Sequence, residues 1–381
     1  MKTWTRIAAL AGGLITGGAA ACSGGSHGAP PVDAGGEACN GIDDNGDGRI
    51  DEGCACAPFS VEVPFRVMSA VSLGNSWALT TTTDLQPSPG DRVPAGYARI
   101  DGRGTVLDHE DLLDGLVGPS PQPFAWDGHA LTYVWTSDTD SHLAMIGPDA
   151  TPIATGPSLG LAAQVLNGGA VLDALILATP AGFDIAAQVV GQLYPIGAVA
   201  STDAHGAPLP STVKALPGGG PRGTYHLDLI AGQTMIVWSG HDVEQDPYWV
   251  SPLATLQRNM ITRPYAVVSS GAEMLLFGEP GLQLQWVYDG TTATRVSLGV
   301  DAVGAAWTGD HYELAALAPD GVLEEVRLSR DHAVTATTPL STVDGSAVYN
   351  SVVAADASHA LFGRFYSVGG ATHQVLTQVC L

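Results

Sequence analysis

Basic residues are scarce in this chain: 15 Lys and Arg stand against 38 Asp and Glu over 381 residues, a formal net charge of −23 at neutral pH. A surface that acidic cannot bind nucleic acid by neutralising phosphates, so no nucleic-acid partner is expected. It is equally unsuited to electrostatic docking on anionic lipid headgroups. It does favour solubility and offers carboxylates to divalent cations. Long apolar runs are missing beyond residue 21, which leaves no further candidate for a membrane span. Sustained helical periodicity is missing too. The common catalytic strings are also absent: no Gly-x-Ser-x-Gly elbow, no His-Glu-x-x-His zinc pair and no Gly-x-x-x-x-Gly-Lys phosphate loop occurs. Gly218-Gly219-Gly220-Pro221 reads as a turn.

What is present begins with the three parts of an export signal. Lys2 and Arg6 form a short positive segment, and Ile7 to Ala21 is apolar and uncharged but short for a span. Ala19-Ala20-Ala21-Cys22 resembles the bacterial lipobox, although its first position, commonly Leu, is Ala19 here. The resemblance implies a lipoprotein signal peptide over residues 1–21, lipidation of Cys22, and a membrane reached through that lipid. Ser23 rather than Asp after the cysteine implies the bacterial outer membrane, on its periplasmic or its outer side. Residues 22–36 are dominated by Gly, Ser, Pro and Ala and read as a flexible tether.

Beyond Cys22 lie Cys39, Cys54, Cys56 and Cys380. An even number of cysteines in an exported chain points to two disulfides. Cys54 and Cys56 are too close to bond to each other. The pairs are therefore Cys39–Cys54 with Cys56–Cys380, or Cys39–Cys56 with Cys54–Cys380. Either choice ties the end of the chain to the start of the body.

Residues 37–56 form a cysteine-bracketed acidic motif. Asp43, Asn45 and Asp47 alternate, so their oxygens can converge on one cation; Gly48 permits the turn that follows. The Arg49 carbonyl can turn inward, and Asp51 falls at the ninth loop position, with Glu52 beside it. These are the first nine positions of a calcium loop of the EF-hand kind. The twelfth position holds Cys54 in place of Glu, and no amphipathic helix flanks the loop, so this is not an EF-hand. The string from Cys39 to Cys54 also resembles the short metal-binding motif of the MopE type, which recurs in surface and secreted proteins of myxobacteria and their relatives. That resemblance covers about 16 residues, and Gly46 stands where the family has a further Cys. It implies a metal site. The family is associated with copper, whereas the oxygen-only donors here favour calcium.

Residues 57–381 read as all-β, with short Val-, Leu-, Thr-, Ala- and Trp-rich runs between Gly, Pro, Asp and Asn turns. Asp-Gly recurs at 101–102, 127–128, 289–290, 320–321 and 344–345 and suits two-residue hairpin turns. Phe124 to Trp135 reads as strand, turn and strand, and Ala305 to Leu317 repeats that design. Weaker copies give about seven units in the size range of propeller blades. A single β-propeller of about seven blades is the expectation, with a pair of β-sandwiches as competitor. Phe59 to Met68 and His373 to Leu381 read as strands that could close the ring in one blade.

Catalytic signals are weak, and no catalytic residue is assigned. Asp108-His109-Glu110-Asp111 with Asp114 reads as a connecting loop, and Gly240 to Asp246 is a second acidic stretch. Each is most simply a solvated loop of an acidic protein. Trp126, Trp135, Trp238, Trp249, Trp286 and Trp307 read as blade packing before sugar stacking. The expected function is a membrane-anchored, non-enzymatic binding module with a protein or polysaccharide ligand. The alternative is an extracellular polysaccharide hydrolase or lyase with its site in the propeller channel. A scaffolding role in outer-membrane assembly is a third option.

Overall fold

Strands such as Met274–Phe277 are apolar at every position and buried at every position. A strand of that kind must be covered on both faces. The computed structural model covers them by stacking sheets around a ring. It describes residues 56–74, 76–82, 93–117, 124–127, 130–136, 141–147, 152–161, 170–190, 195–216, 219–240, 248–256, 259–261, 264–281, 284–320, 322–341, 348–368 and 371–381.

Among the described residues β1 (Phe59–Val63) comes first, followed by six antiparallel four-stranded sheets in sequence order. Blade 1 holds β2 (Arg66–Ser72), β3 (Ser76–Thr82), β4 (Val93–Asp101) and β5 (Val106–Val117). Blade 2 holds β6 (Phe124–Trp126), β7 (Leu131–Thr136), β8 (Ser141–Ile146) and β9 (Pro152–Ser158). Blade 3 holds β10 (Ala170–Thr179), β11 (Gly182–Val190), β12 (Pro195–Ser201) and β13 (Lys214–Ala215). Blade 4 holds β14 (Gly219–Ile230), β15 (Gln233–Gly240), β16 (Tyr248–Pro252) and β17 (Asn259–Ile261). Blade 5 holds β18 (Ala266–Ser269), β19 (Met274–Phe277), β20 (Gln285–Tyr288) and β21 (Ala293–Val296). Blade 6 holds β22 (Ala302–Trp307), β23 (Tyr312–Leu317), β24 (Leu323–Leu328) and β25 (Val334–Ser341).

Blade 7 is built differently. It takes β26 (Val348–Ala355), β27 (His359–Val368) and β28 (Ala371–Cys380) from the last part of the chain, and β1 from ahead of blade 1. Phe59 faces Gln378 and Val63 faces Gln374 across that last pair. The first strands of neighbouring blades lie side by side around the ring, and β26 meets β2 where the circle closes. The fold is therefore an all-β seven-bladed propeller, not a pair of sandwiches.

Each seam between blades holds its own apolar core. Tyr312, Leu314 and Ala316 of β23 face Leu275 and Phe277 of blade 5, while Ala315 on the alternate face meets Ala360 and Phe362 of blade 7. The closing seam packs Trp77, Leu79 and Ile100 of blade 1 against Leu361 and Leu376 of blade 7.

Three local expectations need correction. Residues 59–68 are not one strand: Pro64 and Phe65 interrupt them, and the two halves join different blades. Proline supplies no N–H to a ladder, and Phe65 turns inward, 1% exposed, into the closing seam. Residues 108–111 and 114 lie within β5, not on a connecting loop, and residues 108–111 pair with β4. The Asp-Gly turns are also longer than two residues where they are described. Asp101 Oδ1 accepts the amides of Arg103 and Thr105, and Asp289 Oδ1 those of Thr291 and Thr292. The aspartate works as a side-chain cap of the loop.

Candidate functional site

In a four-stranded antiparallel blade, the first and third turns share one end. Neighbouring blades meet at that end: the first turns of blades 4 and 5 are bridged by Ala231 N–H to Gly271 O, at 2.7 Å, His332 joins blade 6 to blade 5, and Ser72 joins blade 1 to blade 7. Cys380 ends the third strand of blade 7, and it is bonded to Cys56 just ahead of β1. The N-terminal segment thus enters on this face, called here the root face.

The root is anchored by more than the disulfide. Gln378, 1% exposed, accepts from Trp77 Nε1 at 2.6 Å and donates from Nε2 to Ala57 O at 2.9 Å and Gly102 O at 3.2 Å. His373 Nδ1 meets Glu62 Oε1 at 2.7 Å between β28 and β1. Asp356 accepts from Ser72 across the seam between blades 7 and 1, and pairs with His359 at 3.0 Å. Burial pulls the Asp356 carboxyl upward, but the hydrogen bonds from His359, Ser72 and the Ser358 amide outweigh it and hold it below its usual range.

The sequence-assigned site residues divide sharply. Cys56 and Cys380 are brought together. Cys22, Cys39, Asp43, Asn45, Asp47, Arg49, Asp51, Glu52 and Cys54 lie outside the described residues, as do residues 241–247. In the other acidic stretch, Asp108 pairs with Arg99 at 3.0 Å and His109 stacks on Phe65. The tryptophans with described side chains pack within or between blades. Trp238 and Trp249 meet at 5.8 Å, and Trp286 joins the core between blades 4 and 5. Trp126 packs between blades 1 and 2. The Trp307 ring is covered by the Arg330 guanidinium at 5.5 Å, which is itself held by the Gly309 and Asp310 carbonyls.

Two polar constellations escaped the sequence reading. The first lies on the innermost strand of blade 4, where His226 Nε2 and Asp228 Oδ2 are 3.2 Å apart and Leu229 N–H caps Asp228 Oδ1. The second fills the root-face end of blade 6. Glu273 Oε1 accepts from Tyr312 Oη at 3.0 Å and from His332 Nε2 at 2.5 Å, which joins blade 5 to blade 6. Burial pushes the Tyr312 hydroxyl well above its usual range. On the other face of β23, Glu313 Oε1 receives His311 Nε2 at 2.8 Å and Arg327 Nε at 2.6 Å. His311 Nδ1 in turn meets Asp310. Two consecutive glutamates, Glu324 and Glu325, followed by Arg327 in the short LEEVRL strand were the signal available in the sequence.

Chemically, the described carboxylates mostly close turns and bridge blades. Among the described residues, no group of three or more His, Cys, Asp or Glu side chains is arranged to hold a metal ion.

No family model matches the sequence, and no curated protein matches it. Solved structures do match. A puromycin hydrolase superposes with a TM-score of 0.52 at 13% identity, over 83% of this chain and 51% of its own. A puromycin-hydrolysing peptidase of Mycobacterium tuberculosis gives 0.50 at 10% identity, over 84% of this chain and 55% of its own. The Dos1 propeller gives 0.50 at 12% identity, over 84% and 94%. This chain spans about half the length of the two hydrolases. At these identities the likeness is one of fold.

Proposed function

We propose that this chain is a lipid-anchored, extracytoplasmic lipoprotein whose propeller is a non-enzymatic binding module, with a calcium loop at its root. The observation that carries the reading is the Cys56–Cys380 bond, which pins the N-terminal segment to one point on one face of the ring. On this reading Cys22 carries the lipid and residues 22–36 are the tether. Calcium is held by Asp43, Asn45, Asp47, the Arg49 carbonyl, Asp51 and Glu52, and it stiffens the stalk. The membrane is the outer membrane, and the ligand is a protein or a polysaccharide. Further support comes from the described root-face carboxylates of Asp101, Asp289 and Asp356, which are committed to the protein's own amides and hydroxyls.

A hydrolase or lyase acting on polysaccharide is the rival, and it draws on the His226–Asp228 pair of the innermost strand β14. The hydrolases of similar fold do not decide the matter, since a propeller hosts many unrelated functions.

The test is fractionation of the full chain and of Cys22→Ser expressed in a Gram-negative host. The wild type is expected in the membrane fraction and the variant in the soluble fraction. Equal solubility of the two overturns the anchor. Release of reducing ends from a polysaccharide, lost in Asp228→Asn, overturns the non-enzymatic half.

A further inference from the structure

Two glutamates meet inside blade 6 with too little positive charge around them for both to ionise cheaply. Strand alternation turns Glu313, Ala315, Glu325 and Arg327 toward the seam with blade 7. Glu313 is 0% exposed and Glu325 7%. Arg327 serves both, with Nε 2.6 Å from Glu313 Oε1 and Nη2 3.5 Å from Glu325 Oε1. The donors that reach Glu313, Arg327 Nε and His311 Nε2, both go to Oε1. The other oxygen, Oε2, is buried and has no hydrogen-bond partner. An ionised carboxylate with one bare oxygen in an apolar seam carries a full desolvation cost.

We propose that blade 6 contains a proton-operated latch, in which one proton held by Glu325 is donated to Glu313 Oε2 and seals the seam with blade 7. The two side chains are within reach of each other, and burial, followed by the charge of Glu313, pushes the Glu325 carboxyl above its usual range. Protonated, the pair presents one negative charge to Arg327 and leaves no bare oxygen. Deprotonated, it presents two charges to a seam lined by Ala360 and Phe362 and draws water into it.

The charged groups facing the pair are few. Arg327 comes from β24, and His311, with Asp310 behind it, from the β22–β23 turn. The register neighbours are Ala306 of β22 for Glu313, and Thr338 and Ala336 of β25 for Glu325 and Arg327. From blade 7, Arg364 lies on the same face of β27 as Ala360 and Phe362, and it donates to Thr377 Oγ1 at 3.4 Å. His359 and Asp356 serve the opposite seam, through Ser72.

The sign of the effect follows from linkage. A carboxyl raised in the folded state stabilises the fold at acid pH, and that stabilisation is lost as pH rises through the folded value.

The test is a carbon NMR titration of the glutamate carboxyls in the full folded chain, joined to amide exchange in β23, β24 and β27. One glutamate signal is expected to titrate above the rest, to vanish in Glu325→Gln, and to move down in Glu313→Gln while burial still keeps it above the ordinary range. Exchange in those strands is expected to rise more steeply with pH in the wild type than in Glu325→Gln, whose amide donates at every pH. Glutamates that all titrate together in the wild type overturn the latch, even if neither variant folds. An exchange slope shared by wild type and Glu325→Gln overturns it too.

Discussion

The Trp77 indole donates to Gln378 Oε1 at 2.6 Å across 301 positions of sequence, and this bond crosses the one seam where the propeller joins its last blade to its first. Gln378 also holds Ala57 O and Gly102 O, so one buried amide ties together the segment leading into β1, blade 1 and blade 7. The disulfide reinforces a closure that hydrogen bonding and packing already specify.

Replacing Gln378 with Ala leaves an indole N–H and two carbonyls without that partner. At about 1–3 kcal/mol for a buried orphan, the expected loss in urea unfolding is about 3 kcal/mol. Trp77→Phe keeps most of the ring volume and should cost about 1–2 kcal/mol. The double variant should lose less than the sum, by about 1 kcal/mol, because the two share one bond. Strictly additive losses would show that the bond contributes nothing.

Gly182 opens β11 at φ 144°, and a Cβ there would lie 2.2 Å from Thr202 O and 2.4 Å from the Asp203 carbonyl carbon. Both obstacles are backbone, so Gly182→Ala must displace the turn after β12. Gly271 also has positive φ, at 80°, but a Cβ on it meets nothing within 4 Å. Gly271→Ala should therefore cost only about 1–2 kcal/mol of backbone strain. Thermal unfolding should show Gly182→Ala well below Gly271→Ala. Equal midpoints would contradict the packing argument.

For the acidic motif, calcium should protect residues 37–56 from a protease, and Asp43→Ala with Asp47→Ala should abolish that protection while leaving the propeller intact. Equal cleavage of the unmutated protein with and without calcium removes the metal from the account.

Much of the ring was legible in the sequence because blade strands repeat a local grammar. The pairs Phe124–Trp126 with Leu131–Thr136, and Ala302–Trp307 with Tyr312–Leu317, lie where the turn residues and apolar runs put them. The Cys56–Cys380 pair was one of two readings that spacing left open, and only the register of β1 on β28 selects it. Residues 108–114 misled because charge density resembles a loop, whereas an outer strand tolerates charge when a neighbour such as Arg99 answers it. Of the blade 6 cluster, only the Glu324-Glu325 pair was legible, and it does not reveal the partners. Glu273, Glu313 and His332 lie tens of residues apart, and what joins them is which face of β23 each neighbour meets.

The most direct test of the central claim, that the root of the N-terminal stalk closes the ring, is disulfide mapping of the full chain by mass spectrometry without reduction. The account predicts a peptide pair linking Cys56 to Cys380, with Cys39 joined to Cys54 around the acidic motif. A bond from Cys380 to Cys54 or Cys39, or a free thiol at Cys56, would contradict it.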